Sequence, residues 1–157
     1  MTTKKRKTFL PGDVFAIPLK AGGYAFGLVC YQSEVTFFNF RSETPTLPDD
    51  LQGLPVAFRI SVSKDAPAEG GWDFAGRVEL RDDYAKPGRF LNKPVGSKQC
   101  YIYSAGEKVP ASDEECKGLE LMSSYFACHV DERLEDFFAG REYRHLAVIK
   151  QGLGIDF

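Results

Sequence analysis

Pro11-Gly12-Asp13-Val14-Phe15-Ala16-Ile17-Pro18-Leu19, followed after Lys20-Ala21-Gly22-Gly23 by Tyr24-Ala25-Phe26-Gly27-Leu28-Val29, is the stretch on which the fold turns. Val14, Phe15, Ile17 and Leu19 make a nearly continuous apolar run, which predicts a strand with neither face left in water. Pro18 cannot donate to a ladder, so it predicts an edge position or a bulge near the end of that strand. Gly22-Gly23 supplies the positive-φ residues of a tight hairpin. The return strand runs from Tyr24 to about Gln32, and Gly27 inside it predicts a bulge or a sharp bend.

Outward from this hairpin the strand signals continue. Val35-Thr36-Phe37-Phe38-Asn39-Phe40 reads as a third strand, and residues 41–55, with three prolines, as a loop. Val56, Phe58, Ile60 and Val62 alternate along a fourth strand. Trp72 to Leu80 resumes strand character, residues 82–98 read as a long surface connection, and Cys100-Tyr101-Ile102-Tyr103 as a short strand turning at Ala105-Gly106. Leu119, Met122, Phe126, Val130, Leu134, Phe137 and Phe138 step by three and four, which predicts one amphipathic helix ending at Gly140. Tyr143 to Ile149 reads as a last strand. The expected fold class is α+β: a strongly curved antiparallel sheet or partial β-barrel of six to eight strands, covered by one C-terminal amphipathic helix. Residues 1–10 are expected to be a flexible basic tail and residues 11–157 a single domain.

Composition narrows the function. Thirteen Phe and seven Tyr among 157 residues favour β structure. A formal net charge of −2 does not support general nucleic-acid binding. No apolar run approaches the roughly 20 residues of a membrane span, and no apolar segment follows the basic stretch Lys4-Lys5-Arg6-Lys7 to make an export signal. Cys30, Cys100, Cys116 and Cys128 form no CxxC pair, and a chain without an export signal keeps such thiols reduced, so a cytoplasmic protein is expected.

No constellation for catalysis, cofactor or metal emerges. His129 and His145 are isolated in sequence. Cys128 and His129 are neighbours, but adjacent helical residues point about 100° apart and cannot act as nucleophile and base. Gly22-Gly23, Gly27 and Gly70-Gly71 match no phosphate-binding loop. Asp49-Asp50 and Asp82-Asp83 read as solvated loop charges. Residues 107–136 stand out instead, with nine acidic residues against three basic, a local charge of about −6. Glu114, Glu115, Glu120, Asp131, Glu132, Glu135 and Asp136 are the candidate acidic surface, with Tyr125 as an aromatic anchor. Such a surface either is a solvated helix face or meets a basic partner.

Three blocks carry a resemblance. Gly12 to Leu19 with Gly23 to Val29 resembles the start of the immunity protein 26 family of bacterial polymorphic-toxin systems. Gly71-Trp72-Asp73-Phe74-Ala75-Gly76 is similar to that family's central Trp-x-x-x-Gly element. Gly118-Leu119-Glu120, followed by His129-Val130-Asp131-Glu132-Arg133-Leu134, resembles its C-terminal helix. The resemblance implies a cytoplasmic, non-enzymatic protein that binds and neutralises a cognate toxin domain. It transfers no catalytic residue and no contact residue. An acidic surface would suit a basic nuclease toxin as partner, with no direct nucleic-acid contact, no cofactor and no membrane. The alternative is an SH3-like barrel acting as a nucleic-acid-binding or ribonuclease toxin module, since Gly-Asp-Val at a strand start occurs there also.

Overall fold

The structure is a computed structural model and describes residues 9–157; the basic tail lies outside the described residues, apart from Phe9 and Leu10. The opening stretch forms β1 (Asp13–Pro18) and β2 (Tyr24–Val29), paired antiparallel from Val14↔Leu28 to Pro18↔Tyr24. Gly22 and Gly23 both take positive φ in the turn, as expected. β3 (Glu34–Phe38) and β4 (Val56–Val62) extend the sheet, with a single turn of 3₁₀ helix at Leu51–Gly53 in the loop between them. A short helix, α1 (Ala66–Glu69), leads into β5 (Asp73–Arg77), which returns to pair with β1 across a bulge at Val14/Phe15.

A second sheet follows. After α2 (Asp82–Ala85) come β6 (Phe90–Asn92), β7 (Cys100–Ser104) and β8 (Glu107–Ala111), then α3 (Asp113–Cys116). Two very short strands, β9 (Glu120–Leu121) and β10 (Ser124–Tyr125), precede α4 (Ala127–Phe138) and α5 (Arg144–Gly152). The first sheet has the order β10-β4-β3-β2-β1-β5 and the second β8-β7-β6-β9. β9 pairs parallel with β6, and β10 parallel with β4, so residues 120–125 join one sheet and then the other.

Both faces of the first sheet are covered, which explains the continuous apolar strands. One face carries Phe15, Ile17, Val35, Phe37, Phe58, Ile60 and Trp72 beneath Val130 and Leu134 of α4. The other carries Val14, Ala16, Phe26, Leu28 and Phe38 beneath Leu51, with Leu47 and Leu54 from the β3–β4 loop and Tyr84 from α2. A third cluster packs Leu91, Cys100, Cys116 and Leu121 of the second sheet and its surroundings against Leu146 and Ile149 of α5 and Leu153 just beyond it.

Several expectations are corrected. The α+β class holds, but the strands form two sheets of six and four that do not close into a barrel. Tyr143 to Ile149 is not a strand: Leu146 and Ile149 share the helical face of α5 that, with the capping Leu153, packs on the second sheet, so two helices, not one, close the fold. Helix α4 starts only at Ala127, because residues 120–125 are claimed by strand pairing. The connection 82–98 contains α2 and β6. Gly27 stays in register opposite Phe15 and Phe37, with no bulge; a Cβ there would stand 2.9 Å from the Phe37 ring. Pro18 is on an inner strand, yet it lies past the last residue that β5 pairs, so no ladder bond is lost. Gly140 ends α4 as expected: its N–H donates to Phe137 O, and the Arg141 N–H to Asp136 O at 2.8 Å.

All four cysteines are free, and three of them are buried. Burial pushes the Cys100 thiol up from 9.0 to about 11, with the Asp113 carboxylate adding to it; burial also raises Cys30 and Cys116. Only Cys128 is exposed. A disulfide exchange reagent should therefore titrate one thiol in the native protein and all four in denaturant. The fold holds the Cys100 proton, so that contribution to stability is intact below about pH 9 and is lost as pH rises through about 11. Urea titrations across that window should show the loss, and Cys100→Ala should reduce it, leaving the share of the other buried thiols.

Candidate functional site

The 3.6-residue period of α4 sorts its side chains. Ala127, Val130 and Leu134 are buried against the first sheet, while Cys128, Asp131, Glu132, Glu135 and Asp136 face an open groove. The groove, about 710 Å³, is completed by Lys20 from the β1–β2 turn and by Arg141, Tyr143, Arg144, His145 and Val148 around α5. Four carboxylates thus meet three cationic side chains brought from elsewhere in the chain, and the strongly acidic character of the linear segment is largely balanced here.

Each carboxylate has its own environment. The Lys20 backbone N–H donates to Glu135 at 2.5 Å, and Arg141 Nε donates to Asp136 at 3.1 Å. Burial pushes the Asp131 carboxyl above its usual range, against a pull from the Trp72 indole N–H. Glu132 is exposed and makes no hydrogen bond or ion pair among the described residues.

The remaining candidates fall elsewhere. Glu120 is bound by Arg133 in a two-pronged pair, 2.5 and 2.9 Å, and the same guanidinium donates to the Tyr125 hydroxyl at 2.9 Å. Its carbon lies 4.2 Å from the centre of the Phe58 ring. Burial works against the Arg133 charge, and the Glu120 carboxylate overrides it, holding the guanidinium above its ordinary value. Tyr125 is only 6% exposed, so it is an internal strut rather than a surface anchor; pairing in β10 turned its ring into the core. Glu114 and Glu115 belong to α3, away from the groove. Glu115 closes a capping box with Ser112, whose bonds lower its pKa, and Glu114 pairs with Lys117. Arg133→Ala should cost about 2–4 kcal/mol in a denaturant melt, because it strands the half-buried Glu120 and uncovers Phe58. Loss below about 0.5 kcal/mol would reduce the cluster to surface decoration.

The structure also assembles groups that sequence spacing left apart. His129 and His145 stack with ring centres 5.3 Å apart and planes 10° from parallel, so the two histidines are not isolated. Phe126 lies 5.8 Å from His129 and is 54% exposed; Val148 is 62% exposed. Tyr143 is buried, yet its hydroxyl has no hydrogen-bond partner among the described residues, and burial together with Glu132 pushes it up to about 12. Only the aromatic content of 126–145 hinted at this cluster; its assembly depends on α5 being a helix.

The family profile described as immunity protein 26 matches residues 10–100, whereas no curated protein and no solved structure is similar at a significant level. The matched span holds the whole of β1 to β6, including the opening hairpin and the Trp72–Gly76 element, while the Gly118–Leu134 block lies beyond it. Trp72, the hallmark of the central element, fills the core between Phe15 and Phe37 at ring distances of 6.3 and 6.2 Å, which ties that element to the hairpin physically. On a match that covers more than half of its length, the chain belongs to the immunity protein 26 family.

Proposed function

We propose that this protein is an immunity protein that binds a cognate toxin domain of a polymorphic-toxin system and neutralises it by occluding the active site or the substrate path. The family match over residues 10–100 carries this reading. The task asks for a specific interface and no turnover, performed in the cytoplasm by residues 11–157 acting as one domain. Among the described residues no helix is long and apolar enough to cross a membrane. The contact surface we assign is the α4 side of the groove, Asp131, Glu132, Glu135 and Asp136, with Val148 as an exposed apolar neighbour. We leave Glu114 and Glu115 on α3, and Glu120 and Tyr125 with Arg133, out of the assigned surface.

Co-expression tests the reading. The chain should be harmless alone and should restore growth to cells making the toxin domain encoded beside it, with which it should co-purify. Growth arrest by the chain alone would overturn the proposal in favour of a toxin module. Failure to rescue or to co-purify would overturn it as well.

A further inference from the structure

We propose that Cys100 and Cys116 are an oxidative modification site, at which a small neutral peroxide closes a reversible disulfide in the folded chain. The site is separate from the toxin-binding surface and does not depend on it.

The two cysteines are far apart in sequence, and the β7–β8 hairpin brings them together. Cys100 opens β7 and pairs with Ala111 at the end of β8. Ser112 then caps α3, and its capping box with Glu115 fixes that turn of helix. Asp113 and Cys116 stand three residues apart and so share a helix face. Cys100 Sγ donates to Asp113 Oδ1 at 3.2 Å, and Cys116 Sγ to the Tyr101 carbonyl at 4.0 Å. The two sulfurs lie within hydrogen-bond reach of each other.

Both side chains are buried beside Leu91, Leu121 and Ile155. A single buried thiol is inert. Two in contact are not, because oxidation of one hands the other an electrophile already in place. The cover over them is thin. Residues 112–115 are exposed and α3 is one turn long, so a local opening of that turn admits a molecule as small as peroxide. The remaining cysteines have no such neighbour: Cys30 bonds to Thr36 and to the Leu28 carbonyl, and Cys128 is exposed on α4.

The Asp113 carboxylate holds the Cys100 proton, so Cys116 reacts first. Its sulfur attacks a peroxide oxygen, the O–O bond breaks, and the departing hydroxide leaves as water with the Cys116 proton. This makes a sulfenic acid. Cys100 Sγ attacks that sulfur; the S–S bond forms, the S–O bond breaks, and the second hydroxide leaves as water with the Cys100 proton. Two thiols are oxidised and one peroxide is reduced to two waters. The new bond closes a loop over residues 101–115, which ties β8 and α3 to β7.

The test treats the folded Cys128→Ser chain with hydrogen peroxide, then alkylates in denaturant and maps the peptides. A linked peptide should join Cys100 to Cys116 with the loss of two hydrogens, and dithiothreitol should reverse it. Cys30 should still be a free thiol, which excludes closure through global unfolding. The linked chain should melt about 5–10 °C higher than the reduced one, because the closed loop restricts the unfolded state. In the Cys100→Ser variant of that chain, dimedone should label Cys116 as a trapped sulfenic acid. Three free thiols after peroxide, oxygen added at either cysteine without a link, or a link to Cys30 would each overturn the proposal. So would a melting midpoint that stays the same or falls on closure.

Discussion

Glu34→Ala should lower folding stability by about 3–5 kcal/mol, measured by urea titration, with the thermal midpoint falling by about 2–4 °C for each kcal/mol. One oxygen of this carboxylate accepts from Arg59 Nε at 3.1 Å, from Arg59 Nη2 at 2.8 Å and from the Gly88 N–H at 2.7 Å. The two side chains are only 11% and 18% exposed, so the pair is not a surface bridge of the kind worth under about 1 kcal/mol. Truncation strands the guanidinium and the amide together in a dry site. Arg59 also donates to Lys86 O, so Glu34 fastens the 82–90 connection to the first sheet. Glu34→Gln, which keeps the acceptor but not the charge, should lose less. A loss under about 1 kcal/mol for Glu34→Ala would mean that other contacts hold the connection.

Phe37→Ala should be comparably severe, at about 3–5 kcal/mol, by the usual cost of emptying a core aromatic site. Phe37 is fully buried and packs on Phe58 at 5.3 Å and on Trp72 at 6.2 Å. Its ring also occupies the space over Gly27, where an added Cβ would meet it at 2.9 Å and Val35 at 3.0 Å. Gly27→Ala should therefore cost about 1–3 kcal/mol by overpacking. The two changes should not add: in the Phe37→Ala background the methyl enters the vacated space and its cost should fall. Additive losses in a double-mutant cycle would show that backbone strain, and not the Phe37 ring, makes Gly27 necessary.

The elements legible in the sequence were those whose burial pattern is local. The β1–β2 hairpin showed itself because both sheet faces are covered and its strands are apolar throughout. The second half of α4 showed itself through the three-and-four spacing of Val130, Leu134, Phe137 and Phe138. α5 did not, since Tyr143, Leu146, Ala147, Val148 and Ile149 are apolar at every strand-like position too, and only the distant second sheet decides which face is buried. Two-residue strands such as β9 and β10 carry no period at all. The acidic residues of the site were visible as charge, but Lys20, Arg141 and Arg144, which balance them, converge only in three dimensions. Tyr125 was misread for the same reason: its burial follows from β10 pairing with β4.

The short segment 120–125 has a consequence for the order of assembly. It seats one strand beside β6 and the next beside β4, so each sheet gets its last strand from residues made late in synthesis. A nascent chain that ends before Glu120 can pair hairpins but leaves an open backbone edge on β4 and on β6. Such edges invite pairing with other chains, and distant parallel pairings form slowly. Emergence of these six residues from the ribosome should thus cap the open edges of β4 and β6, leaving α4 and α5 to cover the apolar sheet faces.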